Sequence, residues 1–189
     1  MHTLFASYEP EAHGIPLPDA VVRPGSAQDA EQTGRLAAYR EGEPTERWVG
    51  IHHRKVSNED NCLVVAELDG RVVGFGWASY LRPVESGGHG APDGWYLSGV
   101  VVDESVRRRG LGLRLTQQRI DCILSHADEV YYVVAASNRA SRDLHAALGF
   151  EEVTRDFALP GVVFGAGDGI LCRLRRRPDA DVVDLDTRR

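Results

Sequence analysis

Residues Trp95–Gln118, WYLSGVVVDESVRRRGLGLRLTQQ, restrict the possible folds of this chain more than any other stretch. They open with an apolar, β-branched run, Tyr96 to Val102, that reads as a buried strand. The run breaks at Asp103-Glu104-Ser105, passes three arginines and reaches Gly110-Leu111-Gly112. Leu111, Leu115, Ile120 and Ile123/Leu124 then recur at helical spacing, so a helix begins near Gly110. A strand, a short arginine-glycine loop and a helix together describe an anion site. The first N–H groups of a helix lack intrahelical partners and lie at the positive end of its dipole. Gly110 and Gly112 let a ligand approach the backbone without Cβ atoms in the way. Arg107, Arg108 and Arg109 add positive charge.

The pattern is neither a Walker A loop, which ends in Gly-Lys-Ser/Thr, nor a dinucleotide G-x-G-x-x-G. Taken alone it also fits an ordinary βα turn whose glycines serve packing. A second segment adds weight: Asn138-Arg139-Ala140-Ser141-Arg142-Asp143-Leu144-His145-Ala146-Ala147-Leu148-Gly149-Phe150. The first stretch resembles the Q/R-x-x-G-x-G/A signature of the GNAT superfamily of N-acetyltransferases, preceded by a V-x-V strand, here Val100-Val101-Val102. The second resembles that superfamily's N-x-x-A/S-x-x-L-Y-x-x-L-G-F. It follows Gly112 by 26 residues (138 − 112), with one helix and one strand between, as the family arrangement requires. The resemblance is close over residues 95–150; from 20 to 175 only the order of elements fits.

The resemblance implies acetyl-CoA as co-substrate and no metal. Backbone groups of Val100, Val101 and Val102 would pair with the pantetheine arm, and one amide there would polarise the thioester carbonyl. Amides from Arg108 to Leu113, through Arg109, Gly110, Leu111 and Gly112, would wrap the pyrophosphate, with Arg107 at the Gln/Arg position. Asn138 would bond pantetheine, with Ser141 nearby. The chain departs from the pattern at His145, where the family has a tyrosine that protonates the departing thiolate. Histidine titrates near 6.5 and tyrosine near 10, so His145 would donate either as a cation or through a neutral N–H. The alternative is a histidine that only packs. A glutamate that serves some members as base is replaced by Tyr96; Tyr96 with a water, Glu67 of the neighbouring hairpin, or a water chain alone would take its place. Glu67 also reads as a solvent-facing residue beside a turn.

Around this centre the chain orders itself as follows. Residues 1–18, with Pro10, Gly14, Pro16 and Pro18, form an irregular arm that Phe5 and Tyr8 could anchor. A single acetyltransferase-like domain spans 19–175, and a flexible tail 176–189. Val21–Pro24 reads as a strand; Ser26, with Asp29 three residues on, caps a helix to about Tyr39. Thr45–Arg54 is a second helix. Asp69-Gly70 between apolar runs signals a hairpin. The 83–94 segment is a glycine-proline loop, and the long helix runs to about His126. Val130–Ala136 is a strand, and a helix from Arg139 ends at Gly149. Glu152–Ala158 and Ile170–Leu174 close the fold. The expected class is α/β (α+β): a central mixed, mostly antiparallel sheet of six to seven strands with helices on both faces.

Bulk properties narrow the function further. The net charge of −6 argues against a nucleic-acid partner and suits a cationic amine. Cys62, Cys122 and Cys172 are odd in number and scattered, which argues against a disulfide framework or zinc site and for a reducing, cytoplasmic setting. No signal peptide or membrane span is legible. Trp48, His52, His53, Trp77, Tyr80, Trp95 and Phe164, with Glu46, Glu85 and Asp168, are candidates for the acceptor side, although aromatics in a small domain more often form core. The expected activity is transfer of acetyl from acetyl-CoA to a primary amine of a small cationic acceptor in a ternary complex. A protein or peptide acceptor, a non-catalytic acyl-CoA-binding module, and a homodimer are left open.

Overall fold

The structure is a computed structural model, describing residues 14–83, 90–164 and 168–176. The elements in chain order are β1 (Val21–Pro24), α1 (Ala30–Glu41), α2 (Thr45–Val56), β2 (Asn61–Leu68), β3 (Arg71–Leu81), β4 (Gly94–Val102), α3 (Leu111–Leu124), β5 (Glu129–Ala135), α4 (Arg139–Ala147), β6 (Glu151–Thr154) and β7 (Gly169–Arg175). The strands form one seven-stranded sheet in the order β1-β2-β3-β4-β5-β7-β6. Every neighbouring pair is antiparallel except β4 with β5.

Local chemistry explains most of the boundaries. Ser26 and Asp29 form a reciprocal capping box, and a 3-10 turn at Ala27–Asp29 precedes α1. Asp69 and Gly70 both take positive φ, 50° and 76°, the geometry of a tight hairpin turn between β2 and β3. The α1 and α2 helices approach closely at Gly34, where a Cβ would lie 2.6 Å from the Val49 Cα. Strand β6 is shorter than the sequence implies. The Asp156 N–H turns back onto the Thr154 hydroxyl at 3.0 Å, and Ala158 leaves the sheet to bridge Gly90.

Helices cover both faces. On one, α1 and α2 close over Leu63, Val65, Phe75, Trp77 and Val101. On the other, Leu111 and Leu115 of α3 pack on Val64 and Ala66, and Ile120 and Ile123 on Leu97, Val130 and Tyr132. Each fully buried aliphatic side chain contributes about 1.5–3 kcal/mol. The central strands are therefore fixed on both sides, and the open part of the fold is where two of them part.

The arm reaches the described residues at Gly14. Its backbone N–H donates to the Arg108 carbonyl at 2.9 Å, and the Arg114 guanidinium donates to the carbonyls of Leu17 and Ala20. Phe5 and Tyr8, Glu85 of the 83–94 loop, and the tail from 177 on lie outside the described residues.

Candidate active site

Parallel strands β4 and β5 are in register only at Trp95–Val130 and Tyr96–Tyr131. Beyond Tyr96 they diverge, and β4 runs on to Val102 with its β5-facing edge unpaired among the described residues. The other edge of β4 carries an irregularity. Gly76 faces Val100 and Ala78 faces Leu97, so Trp77 stands opposite two residues, Ser98 and Gly99. The extra residue lets Leu97 and Val100 both face α3, and it leaves Ser98 and Gly99 exposed in mid-sheet. Backbone amides and carbonyls thus line a cleft between central strands.

At the far end of β4 the chain turns into α3. Asp103 caps the turn by accepting from the Ser105 N–H and hydroxyl, which holds its carboxyl below the usual range. Arg107 folds back, its Nε donating to the Val102 carbonyl at 3.1 Å. Arg108 takes a left-handed φ of 62° and Gly110 one of 83°. Among the described residues no side chain caps the first amides of α3. A Cβ on Gly110 or Gly112 would meet nothing among the described residues within 4 Å. Leu111 is buried as the anchor of this turn, while Leu113 is exposed. Arg109 directs its Nε to the Ile15 carbonyl, so the arm shares its guanidinium.

Helix α4 follows β5, the strand that parts from β4. The Asn138 carbonyl oxygen caps the helix by accepting from the Ser141 N–H, which leaves its NH2 group to donate elsewhere. His145, 8% exposed, stacks on Tyr132 with ring centroids 3.8 Å apart. Its Nδ1 lies 2.8 Å from the Ser141 carbonyl, which can only accept, so the proton sits on Nδ1. Burial, assisted by the charge of Arg119 and opposed by that carbonyl, lowers its pKa to about 4. The ring is neutral at pH 7, and Nε2 offers a lone pair rather than a proton.

Residues 26–150 match the acetyltransferase (GNAT) family. The chain belongs to that family. An L-2,4-diaminobutyric acid acetyltransferase of Nocardia farcinica is 29% identical, over 74% of this chain and 76% of its own length. Among solved structures, the putative acetyltransferase YncA of Salmonella typhimurium with acetyl-CoA superposes with a TM-score of 0.62 at 17% identity, covering 86% of this chain and 97% of that one. The aminoglycoside 6'-N-acetyltransferase AAC(6')-Ih of Acinetobacter baumannii gives 0.58 at 20%, over 77% and 99%. This GNAT chain is accordingly an acyltransferase that uses acetyl-CoA.

The residues present suit that co-substrate: uncapped amides at the start of α3, open space above Gly110 and Gly112, and a free strand edge at Val100–Val102. The other catalytic candidates are less well placed. Tyr96 is buried, donates its proton to the Pro92 carbonyl at 2.6 Å and stacks on Tyr131; burial raises its pKa and makes it a poor base. Glu67 lies on β2, two strands from β5's side of β4, and its carboxylate receives the Arg23 guanidinium at 2.7 Å beside Asp29. The structure brings neither a free phenolate nor a free carboxylate to the cleft from these two positions. Of the acceptor-side aromatics, Trp48, His52 and Trp77 pack into the core beneath α1 and α2, and Tyr80 and Trp95 form edge contacts continuing to His126.

Sequence reading missed Arg119, which enters the sheet from α3, and the approach of the Cys62 and Cys122 sulfurs to 3.2 Å. Only the polar residue in an otherwise apolar helical stripe signalled the arginine. Nothing in the spacing signalled the cysteine pair.

Proposed function

We propose that this GNAT enzyme transfers the acetyl group of acetyl-CoA to a primary amine of a small cationic acceptor, by direct attack while both substrates are bound. The observation that carries the reading is the open edge of β4, which ends at the uncapped N-terminus of α3. Acetyl-CoA supplies the activated acetyl group and its leaving thiolate. The amides of Leu111, Gly112 and Leu113 hold the pyrophosphate at the positive end of the helix, with charge from Arg107, Arg108 and Arg109. Val100–Val102 accept pantetheine as an added strand, and the Asn138 NH2 fixes it from the α4 side. A β4 amide donates to the thioester oxygen as charge develops there.

His145 acts in its neutral form. Nδ1 is held by Ser141, so the exchanging position is Nε2, which takes the proton lost by the attacking amine and returns it to the thiolate. The acceptor class is supported by the net charge of −6, and by the diaminobutyric acid and aminoglycoside acetyltransferases among its relatives and neighbours. Initial rates with both substrates varied test the order of events. Intersecting reciprocal plots are expected; parallel lines, with acetyl-enzyme trapped in the absence of amine, would refute direct attack.

A further inference from the structure

Arg119 is 1% exposed, in the middle of α3, and among the described residues no carboxylate pairs with it. A buried charge without a counterion costs several kcal/mol unless its donors are satisfied. Here the partners are oxygens. Nη1 donates to the Ser98 carbonyl at 2.6 Å and to the Trp77 carbonyl at 2.9 Å. Nη2 donates to the Thr116 hydroxyl at 3.0 Å, and Nε to the Leu115 carbonyl at 3.3 Å. The Thr116 hydroxyl donates in turn to the Gly112 carbonyl at 2.8 Å. One side chain therefore links the phosphate turn to the irregularity of β4. The opposing strand makes room for it: a Cβ on Gly76 would lie 2.9 Å from the Arg119 Nε.

The Ser98 carbonyl belongs to the same peptide unit as the Gly99 N–H. A trans peptide is planar, with its C=O and N–H pointing in opposite directions. If the oxygen is drawn onto the buried α3 side, the Gly99 N–H faces away from it. Gly99 is exposed, has no register partner on β3, and lies beyond the last β5 pair. A cationic donor on the carbonyl also polarises the peptide and makes its N–H a stronger donor.

We propose that Arg119 is a positioning residue of acetyl transfer: it clamps the Ser98 carbonyl, and so aims and strengthens the Gly99 N–H as the donor to the thioester oxygen. The proposal rests on the reading above that a β4 amide serves this oxygen. It names which amide and what holds it. Arg119 touches neither substrate.

The test combines kinetics with vibrational spectroscopy of acetyl-CoA carrying a 13C-labelled thioester carbonyl, on wild type, Arg119→Met and Arg119→Lys. In wild type, binding should move the carbonyl band to lower wavenumber. Arg119→Met, unbranched and uncharged, should lose most of that displacement and about 10²-fold in kcat, with CoA affinity within threefold. Arg119→Lys keeps the charge but ends one bond short of Nη1 and lacks the donors to Thr116 and Leu115, and should fall between the two. If Arg119→Met does not fold, Arg119→Lys alone decides: a normal band and normal kcat overturn the proposal. Equal losses in kcat and CoA affinity, with the band displaced as in wild type, would also overturn it by reducing Arg119 to a scaffold residue. Absence of any displacement in wild type would instead sink the β4-amide reading itself, and the proposal with it.

Discussion

Acid should unfold this protein through two histidines that bury as neutral rings. His52 is 2% exposed, with Nδ1 at 2.8 Å from the Thr33 hydroxyl, and burial together with nearby Lys55 lowers its pKa to about 4. His145 is lowered to about 4 mainly by burial. In the unfolded chain both titrate near 6.5. The contribution of a lowered histidine is complete above the unfolded pKa, and is lost as pH falls from 6.5 toward 4, because the unfolded chain takes up protons that the folded one refuses. At pH 5 each histidine costs about 2 kcal/mol relative to pH 8, and the pair about 4 kcal/mol. That is a large part of a typical total of about 5–15 kcal/mol. Urea denaturation followed by circular dichroism at pH 8, 6, 5 and 4.5 measures this directly. The midpoint should fall steeply below pH 6.5, and His52→Gln or His145→Gln should each remove about half of the slope. A midpoint that stays flat from pH 6.5 to 4.5 in wild type, or a slope that neither substitution changes, would refute the reasoning.

Three further outcomes follow from the same structure. Gly112→Val has room, since no atom of the described residues lies within 4 Å of a Cβ there; it should fold normally yet weaken CoA binding at least about tenfold by calorimetry. His145→Ala should lower kcat by about 10²-fold with CoA affinity little changed, and wild-type kcat should show no inflection near pH 6.5 between pH 6 and 8, where an acid of ordinary pKa would lose activity as pH rises. Glu67→Gln should leave kcat intact and cost about 1 kcal/mol or less of stability in urea, because its carboxylate serves the half-exposed pair with Arg23.

The parts legible in the sequence were those set by local chemistry. The Ser26–Asp29 capping box, the Asp69-Gly70 turn, and the apolar stripe of α3 from Leu111 to Ile123 each announce their own geometry within a few residues. The strand-to-helix turn at Gly110 was legible for the same reason, since its glycine sits where the backbone takes a left-handed φ. Non-local partners were hidden. Glu67 looked like a free carboxylate because nothing near it in sequence reveals Arg23, 44 residues away, as its partner. The neutral state and tautomer of His145 were not legible, because the ring stacked on Tyr132 and the carbonyl that faces Nδ1 appear only once the helix is docked. The buried partners of Arg119 were hidden because they depend on a two-against-one mismatch between β3 and β4.

Acetylation of an amine at the expense of acetyl-CoA is the central claim, and release of CoA thiol tests it most directly. The purified chain would be given acetyl-CoA and a panel of diaminobutyrate, polyamines, aminoglycosides, neutral primary amines and peptides with free N-termini. Thiol release would be followed continuously, and the acetylated product identified by mass. One thiol per N-acetylated molecule is predicted with small cationic amines, and kcat/KM for the best acceptor should fall severalfold as salt rises from about 20 to 200 mM. An enzyme that binds acetyl-CoA yet releases no thiol above the amine-free rate, or that turns over only with peptides or neutral amines, would contradict the account.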